Sequence, residues 1–522
     1  MYDPASMSRR IGIASLIWSA SILLSRVIAL ARAAAIGRVL GTSGDADVYF
    51  VAFVLPDFLN YLLAGGALSL VFIPIFGEHL ARGETEAGWD AFSAIANFLV
   101  AVIAVLLPLL WIAVPYVVPH VAPGFSDEQQ ALLVALTRIM LPAQLFHLVG
   151  GLLSATLQAR DEHALPALAP LVYNVCIVLG GLAGGHAIGA YGFAWGVLVG
   201  SILGPFALPL IGCLRADFRW RPILSFKNRD LRTYLVRSLP IMLGWSIVVV
   251  DDWILKIQGA LIGAGVVSTL QYGKELTKVP MGVFGLATGV AAYPTLTRLV
   301  SQGQRAEAYT TLATAVRRML VLALAAQVVF TCAGPEIARV IYGGRITPGQ
   351  HAEIGQALAI FSISLWAWAA HTVVARGFYA IGNTWFPTVL GTALVPLAFP
   401  LYTVLRERYG AVGLASASSI AITVYVGVLM IALRRRFPEG EDRFRGFFAR
   451  MIAAVGGSIA LGLAARGALE APLAALPTLA RGTVYAVVPL AAYAVLLVVL
   501  RVDDALDVLG ILRRRMRRSR AS

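Results

Sequence analysis

The stretch Ile11-Gly-Ile-Ala-Ser-Leu-Ile-Trp18-Ser-Ala-Ser-Ile-Leu-Leu-Ser25-Arg26-Val-Ile-Ala-Leu-Ala-Arg32-Ala-Ala-Ala-Ile-Gly-Arg38 sets three arginines inside a run apolar and long enough to cross a bilayer. A guanidinium at the centre of a membrane helix costs at least about 2.5 kcal/mol on insertion scales, so it persists only beside a partner or a wet cavity. Arg26 and Arg32 are six residues apart. At 100° per residue they lie about 120° apart and nearly two turns along, so both can flank one water-filled groove. Arg38 falls toward the far interface. Guanidinium is the side chain that grips phosphate with two parallel donors. The expectation is a membrane protein whose interior handles an anionic, phosphorylated substrate.

The rest of the chain agrees with a membrane reading. Of its 522 residues 59% are hydrophobic and 13% charged, and the mean hydropathy is +0.78. Soluble domains carry about a quarter charged residues, which leaves little room for one here. No cleavable signal sequence is evident, because no small-residue cleavage pattern and polar start follow the first apolar run. Cys176, Cys213 and Cys332 stand in or beside apolar spans at no metal-ligand spacing and read as small core residues.

Apolar segments recur near residues 11–36, 47–77, 91–119, 131–158, 164–187, 190–213, 233–262, 267–300, 316–342, 354–380, 386–405, 411–433, 446–466 and 479–500. This predicts an all-α polytopic membrane protein with about fourteen transmembrane helices. Basic residues test the topology. With the N-terminus cytoplasmic, Arg9 and Arg10 fall inside, as do Arg215, Arg219, Arg221, Lys227, Arg229 and Arg232. So do Arg298, Arg305, Arg317 and Arg318, the arginines between 434 and 450, and the tail from Arg513 to Arg520. Opposite loops are poor: 120–130 and 263–266 hold no Lys or Arg, and 343–353 holds only Arg345. Both termini are therefore expected in the cytoplasm. The formal charge of +14 reads as topology and contact with anionic lipids, not nucleic-acid binding.

A weak repeat groups spans 1–6 and 7–12 into two six-helix bundles, with spans 13 and 14 appended. The expected organisation is an N-terminal lobe over 1–213 and a basic loop over 214–232. A C-terminal lobe follows over 233–433, then a second basic loop over 434–445, the last two helices over 446–500 and a basic tail over 501–522. Prolines 56, 142, 170, 240, 280 and 294 fall inside spans and are expected to bend them or simply to pack there.

The second half carries its own intramembrane charges. Asp252 and Lys256 are four apart and can pair on one helix face, while Asp251 points about 100° away. The pair is either plain neutralisation or, with a spare carboxylate, a site for Na⁺ or a proton. Lys274 and Lys278 share a face, with Glu275 three before Lys278; snorkelling to an interface is the bland alternative. No HExxH, Walker A or GxSxG motif occurs, and the seven histidines are scattered. His147 reads as a packed or hydrogen-bonded core residue. A non-enzymatic transporter is expected, without cofactor. It would be driven by Na⁺, H⁺, the membrane potential or the substrate's own gradient.

The run Ser25-Arg26-Val-Ile-Ala-Leu-Ala-Arg32, with Gly41, Asp47-Val-Tyr-Phe-Val-Ala-Phe-Val-Leu-Pro56 and Gly66-Ala-Leu-Ser69 through Pro74 to Glu78, resembles the MurJ (MviN) family of the MOP exporter superfamily. Further matches are Ala122-Pro-Gly-Phe125, Leu141-Pro142, Pro166-Ala-Leu-Ala-Pro170, Asn174, Gly282-Val-Phe-Gly285, Gly377-Phe-Tyr379 and Gly410-Ala-Val-Gly413. The resemblance covers residues 10–435, and the 24–78 block is its most specific part. It implies lipid II flipping from the inner to the outer leaflet of the bacterial cytoplasmic membrane, by alternating access, for peptidoglycan synthesis. It also implies two lobes around a cationic central cavity, and a lipid-tail groove made by the last two helices.

The resemblance places substrate-binding cations at Arg26 and Arg32, with Lys274 as a further cation, and an acidic partner at Asp47 that orients an arginine or gates the cavity. Asp251, Asp252 and Lys256 are the coupling-ion candidates. Several family positions differ. Asn60 and Tyr61 stand where arginines are common, Gly65 where an acid is expected and Trp385 where a lysine is expected. Glu275 stands where an arginine is expected and Lys278 where an acid is, an exchange of charge at the substrate-facing Lys274–Lys278 segment. Expected partners are lipid II or a related undecaprenyl-pyrophosphate-linked saccharide, anionic lipids and cell-wall synthesis proteins. Rival readings are a flippase for another polyprenyl-linked oligosaccharide, a drug exporter of the same superfamily, and a non-transporting cell-wall scaffold.

Overall fold

Apolar runs of about twenty residues satisfy their own backbone bonds in lipid by forming helices. The computed structural model describes residues 24–25, 27–64, 68–225, 227–244, 246–437 and 444–505, and every regular element among them is helical. Arg26, the first 23 residues and with them much of the expected 11–36 span, Gly65, Trp245 and the tail beyond 505 lie outside the described residues.

The chain divides into two compact units, residues 1–245 with 259–268, and residues 246–258 with 269–522. In the first unit, α1 runs through residues 27–40. It is followed by α2 (Gly44–Val51), α3 (Val54–Ala64), α4 (Ile73–Ala81), α5 (Thr85–Val121), α6 (Asp127–Met140) and α7 (Ala143–Ala159). Then come α8 (Ala164–Ile188), α9 (Ala190–Ser201), α10 (Leu208–Arg215) and α11 (Arg229–Leu243). The helix α12 (Ile247–Gly259) and the helix α13 (Val266–Pro280) straddle the division. The second unit continues with α14 (Ala287–Ser301), α15 (Arg305–Tyr342), α16 (Pro348–Ile363), α17 (Leu365–Ala380), α18 (Trp385–Arg436), α19 (Phe444–Leu473) and α20 (Thr478–Val499).

Nine helices among the described residues are long and apolar enough to span a membrane, or ten if the bent pair α16–α17 counts as one span. Other apolar segments are broken and do not qualify as single rods. The 47–77 segment is α2, α3, a π-helical turn at Leu68–Phe72 and α4. The 267–300 segment is α13, a π-helical turn at Met281–Leu286 after Pro280, and α14. Conversely α18 joins two expected spans across a kink at Gly410, whose φ of +57° suits only a residue without Cβ. Large apolar side chains such as Val105, Leu109 and Ile112 on α5 are exposed, as a lipid-facing surface requires.

Close helix approach in the first unit is written as Gly192-x₃-Gly196-x₃-Gly200-x₃-Gly204. A Cβ on Gly196 would come 2.8 Å from both the Cys176 oxygen and the Ile177 Cα, and one on Gly204 would come 2.5 Å from the Ala169 oxygen. Without hydrophobic drive between helices in lipid, such contacts rest on van der Waals packing of backbones. Gly196→Val is expected to separate α8 from α9 and cost about 1–3 kcal/mol. Thermal unfolding in detergent reads this out, and an unchanged melting temperature contradicts it.

The loop after α10 is pinned to α5. Trp220 donates to Asn97 at 2.8 Å, the Asn97 amide donates to the Arg221 and Ile223 oxygens, and Arg221 pairs with Asp90 at 2.9 Å. In the second unit α15 is the central rod, with α14, α16, α17, α19 and α20 packed around it. The cysteines are free thiols, Cys213 and Cys332 buried.

Candidate functional site

Intramembrane polar groups fall into two sets, one in each unit. In the first unit Arg32, on α1, is half-buried, and Arg38 is exposed. Arg32 acts electrostatically on the hydroxyls of Tyr49 and Tyr173. Among the described residues it makes no ion pair. Tyr173 lines a polar cavity of about 80 Å³, with Asp57, Asn60, Gln144, His147 and Phe53 also in its wall. Asn60 donates to Gln144 at 3.0 Å. Tyr61 donates to the Gly244 carbonyl. Where arginines are common in the family, this chain therefore has neutral groups already satisfied by its own first unit. His147 shares a hydrogen bond of 2.9 Å with Ser201 and stacks edge-on against Tyr173, a packed, hydrogen-bonded core histidine.

Asp47, expected to orient an arginine or to gate the cavity, pairs with no arginine among the described residues. It is fully buried, and its two oxygens accept from the backbone N–H groups of Gly265 and Ser268, each at 2.6 Å. These are donors left open at the start of α13, where no earlier turn supplies carbonyls. The carboxylate therefore acts as a cap delivered from a distant part of the chain.

The second unit holds a compact charge cluster. Lys256 and Asp252, one helical turn apart on α12, pair at 2.7 Å. Lys274 reaches across from α13 to Asp251 at 2.7 Å and Asp252 at 3.2 Å. Tyr402 of α18 donates to the other Asp251 oxygen, and Gln271 donates to Asp252 at 3.4 Å. Lys274 is not an interfacial, snorkelling side chain: it is 7% exposed and Asp251 2%. Two carboxylates and two ammoniums make the cluster neutral as a whole. Glu275 pairs with Lys278 at 2.7 Å. Trp385 is exposed.

Sequence reading missed three contributors. Tyr402 closes the carboxylate cluster. Arg406 donates to Gln258 at 2.6 Å. Arg376 on α17 is half-buried and donates to the Thr372 oxygen at 2.6 Å. No carboxylate pairs with Arg376 among the described residues. It was detectable by the signal that marked Arg32, a guanidinium within an apolar span. The second unit also contains an apolar chamber of about 740 Å³ between α15, α16, α17 and α19, lined by residues such as Leu324, Ile360, Trp366, Met451 and Ile459.

A family model described as "Lipid II flippase MurJ" matches residues 36–474. The lipid II flippase MurJ of Burkholderia cenocepacia is 28% identical over 433 residues, covering 80% of this chain and 83% of that protein. The probable lipid II flippase MurJ of Rhizobium tropici is 27% identical, covering 76% of each. A solved structure described as "Lipid II flippase MurJ, inward closed conformation" superposes with a TM-score of 0.77 at 19% identity, covering 93% of this chain and 99% of that one. A multidrug-resistance MATE transporter of the MOP superfamily, inward-facing, gives 0.66 at 13% identity over 81% of this chain and 98% of that one. Fold, matched length and motif order agree: the chain is a multi-pass membrane protein that belongs to the MurJ lipid II flippase family.

Proposed function

We propose that this protein flips lipid II from the inner to the outer leaflet of the bacterial cytoplasmic membrane by alternating access, with both termini cytoplasmic. The observation that carries the proposal is Arg32, a guanidinium on an apolar helix that no carboxylate of the described residues neutralises. A pyrophosphate supplies the missing charge and accepts two donors at once. Arg26, six residues earlier on the sequence, is the accompanying cation. The apolar chamber beside α19 offers surface for a polyprenyl tail. The reading is of a transporter, with no catalytic residue assigned.

Coupling is assigned to the Asp251–Asp252–Lys256–Lys274 cluster. A sodium ion or a proton enters it only by displacing an ammonium, so the cluster exchanges cations and does not stand open to them. Lys274 thus competes between these carboxylates and any anion offered to it, and Glu275 is held by Lys278.

The test is replacement of the native flippase in a depleted bacterium, reading outer-leaflet lipid II accessibility. Rescue is expected, and Arg32→Ala is expected to lower it at least about ten-fold, the worth of a charge-assisted bidentate contact. Full rescue by Arg32→Ala removes that residue from the mechanism. A second reading, a flippase for another polyprenyl-linked saccharide, draws support from the neutral, self-satisfied Asn60 and Tyr61. Failure to rescue by well-inserted protein favours it.

A further inference from the structure

Away from these sites, Glu336 lies near the end of α15, its side chain 5% exposed. Arg466 of α19 grips it with both terminal nitrogens, at 2.9 and 3.0 Å, and also donates to the Cys332 oxygen at 2.7 Å. Arg481 of α20 approaches the same carboxylate, its Nε at 3.8 Å, beyond hydrogen-bond reach. That Nε is buried and has no hydrogen-bond partner among the described residues. Tyr485, one turn further along α20, lies under the Arg466 guanidinium, 4.8 Å from ring centroid to Cζ. Tyr485 is 3% exposed, and its hydroxyl likewise has no partner among the described residues.

Two guanidiniums on one carboxylate leave one positive charge in excess. A cross-link between helices explains Arg466, whose fork is fully used. It does not explain Arg481, which adds like charge and unmet donors to a poorly hydrated place, a net cost unless something else answers them. The approach is nonetheless built in. A Cβ at Gly482 would come 2.9 Å from the Glu336 Cβ, so glycine there lets α20 bring Arg481 and Tyr485 against the carboxylate. Both arginine side chains keep about a quarter of their surface open, 26% and 23%. Glu470, one turn beyond Arg466, is exposed and forms no ion pair among the described residues.

We propose that Arg481 and Tyr485, backed by Arg466, form a binding site for a phosphate-bearing anion, supplied by an anionic lipid headgroup. One excess charge matches one phosphodiester, and forked N–H donors with a phenol O–H match its oxygens. The depth suits a headgroup: Arg481 is the fourth residue of α20, and Arg466 stands seven residues before the end of α19. Exposed Leu463, Leu479 and Val487 surround the cluster with lipid-facing surface. This site does not depend on what the protein transports.

The experiment is native mass spectrometry and thermal unfolding of the full chain in detergent, with phosphatidylglycerol, phosphatidylcholine or inorganic phosphate added. Wild type is expected to retain phosphatidylglycerol over phosphatidylcholine by about ten-fold, the worth of one charge-assisted contact. Arg481→Gln should abolish the preference, Arg481→Lys should keep part of it, and Tyr485→Phe should weaken it while leaving lipid-free melting unchanged. If inorganic phosphate alone gives the Arg481-dependent stabilisation, the phosphate site stands and the lipid source is overturned. No preference in wild type together with no effect of phosphate overturns the site. So does an Arg481→Gln protein that melts lower without lipid yet keeps the wild-type preference, since that is the signature of a structural cross-link.

Discussion

Lys274→Met is expected to lower the stability of the second unit by about 3–5 kcal/mol, the penalty for removing one partner of a buried ion pair. The ammonium is shared by Asp251 at 2.7 Å and Asp252 at 3.2 Å. Asp252 keeps Lys256. Asp251 keeps the Tyr402 hydroxyl, and at 2% exposure water cannot replace the lost charge. The cost should fall mostly on Asp251. The double variant Lys274→Met, Asp251→Asn is therefore expected to recover much of the loss, with a coupling of about 1–3 kcal/mol. A second consequence follows from the vacated position. Two carboxylates and the Tyr402 oxygen surround it, a set of hard oxygen donors suited to a small cation. The melting temperature of Lys274→Met should then rise with sodium chloride and not with choline chloride, by mass action on the folded state. A variant as stable as wild type would show that Lys274 is not the cluster's keystone. A stability indifferent to sodium would remove the cluster from ion coupling.

How far these features could be read beforehand depends on the range of the interaction. The Asp252–Lys256 pair is local, four residues on one helix, and its spacing alone indicates the contact found at 2.7 Å. The Lys274–Asp251 contact joins α13 to α12, and only packing determines that the two helices face each other with these residues level. The helices themselves were legible because hydrophobic length is a strong signal in membranes. Their interruptions were less so. Pro280 announces a break but not the π-helical turn at Met281–Leu286 that follows it. At Gly410 the backbone leaves helical φ/ψ, so Trp385–Arg436 holds two helices meeting at a kink whose geometry the two hydrophobic runs do not announce. Arg466 and Glu336 lie 130 residues apart. Each is visible as a charge in an apolar run, but nothing in the sequence says that they meet.

Asp47→Ala is expected to cost about 2–4 kcal/mol, because it strands two fully buried donors at once and each orphan costs about 1–3 kcal/mol. The acceptor oxygens reach Gly265 and Ser268 at 2.6 Å, across 218 and 221 residues of chain, which is why the role was invisible in the sequence. Gly265 sits at a φ of +87°, and a Cβ there would come 2.9 Å from the Thr42 oxygen, so the turn before α13 lies tight against the segment that leads into α2. The carboxylate fixes this return of residues 259–268 to the first unit. Asp47→Asn keeps one strong acceptor and presents an amide N–H₂ to the second donor, so it should fall between wild type and Asp47→Ala. Amide hydrogen exchange at Gly265 and Ser268 should accelerate in the same order, since loss of an acceptor opens these positions locally before the unit unfolds. The ordering separates a cap from a transport residue. If Asp47 worked by orienting an arginine toward substrate, Asp47→Asn would lose flipping while keeping wild-type stability and exchange. If it works as a cap, flipping should decline only as far as stability and protection at Gly265 and Ser268 decline, and Asp47→Asn should remain partly active.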